Sequence, residues 1–352
     1  MPKRVLVLGA TGTIGRATVR ALVRRGHEVV CFVRPRPGAG AGAGAGTGGA
    51  GGATGTAIDG ASGSGALPPG PGVALASATV RTGDVTDPAS LASDAFRGER
   101  FDALVSCLAS RTGVPADAWA IDHQAHLHAL AEAQRAGVAH MVLLSALCVQ
   151  KPRLAFQHAK LAFEQALIGS GLTYSIVRPT AFFKSLSGQV ARVKRGKPFL
   201  VFGDGTLTSC KPISDDDLGD YLAGCLDDPA RRNRVLPIGG PGEAITPRQQ
   251  GEHLFALLGQ PPRFKSVPVG LLDAIVGVLG TAGRVLPSLA AKAELARIGR
   301  YYATESMLVL DPTTGRYDAA ATPSTGTETL FDYYERLVAG TAVLERGEHA
   351  VF

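Results

Sequence analysis

A chain of 352 residues can bury a full hydrophobic core, so it has no need of the disulfide or metal staples that small folds depend on. Its 36 Lys and Arg against 30 Asp and Glu leave a net charge of +6 at pH 7, spread along the chain. That balance suits an anionic cofactor or substrate and argues against nucleic acid as a partner.

In chain order, RVLVL at 4–8 is an apolar run, followed by Gly9 and a helical pattern from Ile14 to Arg25, the first βα unit of a parallel sheet. The strand begins so early that a signal or transit peptide is not expected ahead of it. A second strand, EVVCFVR at 28–34, follows at crossover spacing. Residues 37–72 are almost entirely Gly, Ala, Ser and Pro, too poor in packing side chains to offset the entropy of ordering, and are expected to be a disordered insertion. Then come ATVRTGDVTD at 78–87, a helix near 88–97, FDALVSCLA at 101–109, a helix from about Ile121 to Gly137, HMVLLSA at 140–146, TYSIVRPT at 173–180 and, later, RVLPIGG at 234–240.

Strands alternating with helices predict an α/β fold of Rossmann type, a doubly wound parallel sheet. Residues 1–180 are expected to form its core, and 181–352 a smaller C-terminal substrate-binding lobe from which strand 234–240 returns to the core sheet. The five cysteines form no C-x-x-C pair and read as free thiols in a reducing compartment. The longest apolar stretch, 267–283, is interrupted by Asp273 and by Gly and Ala, and is too short to span a bilayer.

GATGTIG puts Gly9, Gly12 and Gly15 between a strand and a helix, where the chain must turn tightly, admit a pyrophosphate and pack helix on sheet. Gly9, Thr11, Gly12, Thr13, Ile14 and Gly15 are therefore the expected phosphate cradle. The second strand ends in Arg34, with no carboxylate until Asp59, which favours the 2'-phosphate of NADPH over the bare ribose of NADH. Asp84 and Val85 fall where the adenine should lie, and Cys107, Leu108 and Ala109 line the cofactor at the fourth strand. Arg178 and Pro179, at the end of the strand 173–180, complete the expected cofactor set.

VLLSALCVQKPRLAFQHAKLAFE, 142–164, has the form of a short-chain dehydrogenase catalytic segment with one substitution. Ser145 ends a strand and Lys160 lies on the next helix, but the position four residues before the lysine, normally Tyr, is Phe156. Carbonyl reduction would lose its acid there, whereas Lys160 could still hold the nicotinamide ribose. Lys160, Ser145 and Tyr174 are the catalytic candidates, with His158, Lys184 and water as other proton sources. His123 and His126 share a helix face, but no third ligand is expected beside them and no metal site is predicted.

The blocks VSCLASRTG (105–113), VLLSALCVQKP (142–152), FQHAKLAFE (156–164), TYSIVRPTAFFKSLSGQV (173–190), GKPFLVFGDG (196–205), CKPISDDDL (210–218), VLPIGGPG (235–242) and IGRYYATESMLVLDPTTGRY (298–317) resemble the NADPH-dependent divinyl chlorophyllide 8-vinyl reductases, atypical, NmrA-like members of the short-chain dehydrogenase superfamily. The Gly/Ala-rich tract after Arg34 departs from that pattern. The resemblance implies reduction of the 8-vinyl group of a magnesium tetrapyrrole, divinyl chlorophyllide or protochlorophyllide, during (bacterio)chlorophyll synthesis. Hydride added to a vinyl carbon leaves charge in the macrocycle, so no acid is needed at an oxygen. Phe156 would offer the pigment a flat apolar face, and Phe182, Phe183 and Lys184, following a strand at the carboxyl edge, would stack on it and pair with its carboxylate.

Two other readings stay open: an NADPH-binding regulator or structural subunit without turnover, and a reductase of another conjugated alkene. The expected location is the cytoplasm, with peripheral contact to photosynthetic membranes through the apolar stretch 267–289.

Overall fold

The computed structural model describes residues 1–35, 75, 77–283 and 287–343, so the predicted insertion 37–72 lies outside the described residues apart from its approach. In chain order the elements that matter here are β1 (Arg4–Leu8), α1 (Thr13–Arg24), β2 (Glu28–Val33), β3 (Thr79–Thr82), β4 (Ala103–Ser106), α2 (His126–Arg135), β5 (His140–Leu144), α3 (Ala155–Ile168), β6 (Thr173–Pro179), β7 (Phe199–Phe202), α4 (Asp215–Gly224), β8 (Arg234–Ile238), α5 (Pro247–Leu257), β9 (Phe264–Val267), α6 (Val269–Ala282), α7 (Pro287–Thr304) and α8 (Leu330–Ala339). The element α2 continues helical turns that begin at Pro115 and pass through a π-helical segment, Trp119–Ala125.

The central sheet has seven strands in the order β3-β2-β1-β4-β5-β6-β8, and every pairing is parallel. Its inner strands β1, β4 and β5 are apolar along their length because helices cover both faces. One face packs Val5, Val7, Val105 and Val142 against Leu22 of α1 and Leu218 and Leu222 of α4. The other packs Leu6, Leu104 and Met141 against Ala129 of α2 and Phe163 of α3.

The strand Arg234–Ile238 pairs with β6 in the central sheet, and it does not come alone from the C-terminal part. In α4, Gly219 brings the helix against the backbone of α1: a Cβ there would lie 2.6 Å from the carbonyl carbon of Ala17. Arg20 and Arg24 of α1 then pair with Asp216 and Asp220 at 2.5 and 2.8 Å. The remainder of the C-terminal part has its own core, in which β7 and β9 pair in parallel and Phe199, Phe255 and Tyr334 fill the space between α5 and α8. Two helices, α6 and α7, form a hairpin beside it.

The strand order reverses between β1 and β4, which opens a crevice at their carboxyl ends. The segments that follow β1, β4, β5 and β6 all emerge on this edge.

Candidate functional site

The turn after β1 is set by what cannot be added to it. Gly9 has φ +76°, and a Cβ would lie 2.6 Å from the Cys107 carbonyl. At Gly15 a Cβ would lie 2.1 Å from the Gly9 oxygen, so helix and turn touch backbone to backbone. Gly12 differs, since a Cβ there would meet only the Gly9 oxygen at 3.5 Å, and the residue is exposed. Sterics inside the protein explain Gly9 and Gly15; the openness of Gly12 leaves room for a ligand to approach the main chain.

The same turn starts α1 without a side-chain cap and without an acid in its first turn, so its first amides face the crevice ready for an anion. Thr11 is exposed, Thr13 is half-buried, and the Ile14 side chain is buried in the core, so Ile14 can contribute only its backbone.

Arg34 is exposed immediately beyond β2. The amide and hydroxyl of Thr86 hold the Asp84 carboxyl below the usual carboxylate range, and the field of Arg34 adds to that shift. The Val85 side chain joins the core, so Val85 can contribute only its backbone to an adenine site. At the end of β4 the Cys107 amide donates to the Leu8 carbonyl at 2.9 Å, while burial pushes its thiol up to about 12. Leu108 is half-buried beside it and Ala109 is exposed.

Phe156, Lys160 and Glu164 are spaced by four along α3 and share one stripe. The Lys160 ammonium lies 3.0 Å from Asp122 Oδ1, with side-chain exposures of 11 % and 0 %. Asp122 belongs to the π-helical segment, and the same oxygen accepts from the Ser110 amide at 3.2 Å, which ties the loop after β4 to the lysine. Its Oδ2 is buried with no partner among the described residues.

Ser145, buried at the end of β5, donates its hydroxyl to Glu164. The Glu164 carboxylate is itself fully buried and held by the Arg178 guanidinium, whose Nε lies 3.2 Å from Oε1. This corrects the expectation for Arg178, because its charge is committed to Glu164 and is not free for a cofactor. Pro179, next to it, is buried.

Two further expectations need correction. Tyr174 stands at the amino end of β6, opposite Met141 at the start of β5, whereas Ser145 lies beyond the other end of that strand, so it is remote from the crevice. Phe183 is buried in the core of the C-terminal lobe, tilted against Tyr333 at 5.7 Å, and presents no face to a ligand. His126 is a core residue. Its Nδ1 lies 2.8 Å from the Ile121 carbonyl and its Nε2 2.9 Å from Ser106 Oγ, and burial, assisted by Lys160, pushes its pKa down to about 4. Among the described residues no group of three His, Cys, Asp or Glu could hold a metal ion.

Phe156 is half-buried and joins an apolar cluster that spans the crevice, with Cys148 after β5, Leu154, and Ile298 and Tyr301 of α7. Phe182 and Lys184, also half-buried, follow β6 on the same edge. The end of α7 is fastened to the loop after β5, where Glu305 pairs with Lys151 at 2.7 Å and Arg153 at 2.9 Å and accepts from the Tyr317 hydroxyl. Sequence reasoning missed Asp122, Glu164 and this clamp. The available signal was a lone acid inside each of two helical segments, WAIDHQA and AKLAFEQAL.

Comparison with known proteins adds three findings. A family model described as NAD(P)H-binding matches residues 72–229. The chain is 49 % identical over 99 % of its length to the divinyl chlorophyllide a 8-vinyl-reductase, chloroplastic, of Oryza sativa subsp. indica, covering 82 % of that protein, and 45 % identical over 98 % to the protein of the same name from Arabidopsis thaliana, covering 79 % of it. Among solved structures, an NADPH-dependent quinone oxidoreductase of Escherichia coli in complex with NADPH superposes with a TM-score of 0.64 at 19 % identity, over 95 % of this chain and 99 % of that one.

Proposed function

We infer the function from one premise: this chain belongs to the divinyl chlorophyllide a 8-vinyl-reductase family. It is an NADPH-dependent oxidoreductase that reduces the 8-vinyl group of a divinyl chlorophyllide-type tetrapyrrole to ethyl in chlorophyll biosynthesis. The observation on the chain itself that best supports this reaction is Phe156 one turn from Lys160: the ion-paired lysine is kept and the phenol that carbonyl reduction needs is absent.

The residues at the crevice suit the cofactor. Gly9 and Gly15 hold a cradle that a Cβ would fill, and Gly12 keeps its backbone open. The first amides of α1 would receive the pyrophosphate and Arg34 the 2'-phosphate. Bound NADPH supplies the hydride. Lys160, aimed by Asp122, would bind the nicotinamide ribose hydroxyls, and Ser145, oriented by Glu164, would fix the cofactor or the substrate against the end of β5. Phe156 and Phe182 would contact the macrocycle, and Lys184 would pair with its carboxylate.

Peripheral membrane contact belongs to the same reading. No described helix is long and apolar enough to cross a membrane. Yet α6 buries none of its residues and exposes Leu271, Ile275 and Val278 by 52, 38 and 69 %. Such a helix would rest on a lipid surface, where an apolar pigment is also found.

The test is an absorption spectrum of the protein incubated with divinyl chlorophyllide a and NADPH, with NADH in parallel. Loss of a vinyl group shortens the conjugated system, so turnover moves the Soret band to the blue. The shift is expected with NADPH and to be much slower with NADH. An unchanged spectrum in protein that still binds NADPH would refute the reading.

A further inference from the structure

Converting a vinyl group to ethyl needs a proton at carbon as well as a hydride, and most groups around the crevice are already committed. Phe156 has no proton to give. The Ser145 hydroxyl is donated to Glu164, and the Lys160 ammonium is held by Asp122. On α7 the Tyr301 hydroxyl donates to the carbonyls of Cys148 at 2.9 Å and Lys151 at 3.1 Å.

Its neighbour Tyr302 is different. Among the described residues its hydroxyl meets only the Cys148 sulfur, at 3.7 Å, a weak acceptor that a better one could displace. The residue as a whole is 40 % exposed, while its hydroxyl is buried on the helix that covers the crevice. One turn earlier Ile298 approaches Gly113, where an added Cβ would meet it at 2.9 Å and Phe156 at 3.8 Å. Cys148 lies three residues beyond Ser145, and its thiol feels the charge of Lys160. The Tyr302 phenol and the Cys148 thiol therefore meet beyond the carboxyl end of β5.

We propose that Tyr302 is the catalytic acid of the vinyl reduction, replacing from the covering helix the phenol that the catalytic helix lacks at Phe156. Hydride adds to the terminal vinyl carbon, and the π pair moves to the inner carbon and into the macrocycle. The Tyr302 O–H bond breaks as a C–H bond forms at that inner carbon, and water reprotonates the phenolate. One NADPH and one proton are consumed for each ethyl group formed. Burial, with Cys148 and Tyr301 close by, holds the phenol pKa well above its usual value, so the donor is fully protonated at neutral pH.

The proposal rests on the vinyl-reductase reading, and the experiment separates the two. With full-length protein, NADPH and divinyl chlorophyllide a, Tyr302→Phe is expected to lower kcat by about 10²-fold or more. Its KM and NADPH affinity should stay within about threefold of wild type, the pattern of a group that acts only in the transition state. In deuterium oxide, wild type should show a solvent isotope effect on kcat. Tyr301→Phe serves as the comparator that loses structural hydrogen bonds instead. Should the Phe variant not fold, 3-fluorotyrosine at position 302, nearly the same shape but more acidic, should move the alkaline limb of the kcat profile to lower pH. Turnover of Tyr302→Phe within about threefold of wild type, or an alkaline limb that stays in place, would overturn the proposal. Wild-type protein that binds NADPH and leaves the vinyl group intact would overturn the vinyl-reductase reading, and this proposal with it.

Discussion

The two sides of the crevice are built by opposite means. On the cofactor side the turn after β1 is locked by backbone contacts that exclude a Cβ at Gly9 and Gly15, and beneath it lie two buried ion pairs, Lys160–Asp122 and Arg178–Glu164. On the covering side α6 buries nothing and is held to α7 through Asp273 and Arg300, while α7 is clamped at its far end by Glu305. A site that must hold one invariant cofactor can be rigid, because its contacts are short-range and intolerant of change. A cover that must admit a flat macrocycle has few buried contacts to break, so opening it costs little.

The largest expected effect tests the rigid side. Glu164→Ala would strand the buried Arg178 guanidinium and the Ser145 hydroxyl, and should lower stability by roughly 3–5 kcal/mol in urea unfolding. A loss near zero would mean that the pair is solvated and the side is not rigid. Next, Gly15→Ala forces a backbone shift and should cost about 1–3 kcal/mol, along with most NADPH affinity. Gly12→Ala should leave the melting temperature nearly unchanged and weaken NADPH binding alone. Equal stability losses for the two would remove the distinction between a packing glycine and a ligand glycine.

Acid should loosen the core sheet through two buried histidines. Burial pushes both His126 and His140 down to about 4, aided by Lys160 at the first and by Arg232 and Lys3 at the second. In the unfolded chain they take up protons near 6.5, so between pH 6.5 and about 4 the unfolded state binds more protons. Stability should therefore fall as the pH drops through that window, and His140→Gln should flatten the melting-temperature profile there. The smallest effect belongs to the cover. Joint replacement of Leu271 and Val278 by Asp should change stability by no more than about 0.5 kcal/mol while abolishing flotation with anionic vesicles. A large stability loss would show that α6 is packed and is not a free surface.

The same contrast governs what the sequence could tell. The glycine turn, the basic end of the second strand at Arg34, the alternation of strands and helices in the first half and the place of Lys160 on a helix are local patterns that the sequence carries. The partners that make them function are not local. Asp122 reaches Lys160 across 38 positions, and Tyr302 reaches Cys148 across 154. Phe183 belongs to a lobe core assembled from segments as distant as Tyr334, and no periodicity near residue 183 announces it. Tyr174 shows that register outweighs residue type: as the second residue of β6 it lies at the amino end, while ligands of such sheets bind at the carboxyl end.

The most direct test of hydride delivery to the vinyl group uses NADPH carrying deuterium at both C4 positions, with mass spectrometry of the pigment after turnover. The account requires one deuterium in each newly formed ethyl group. Ethyl product without label would contradict it, since the reducing hydrogen would then have come from elsewhere.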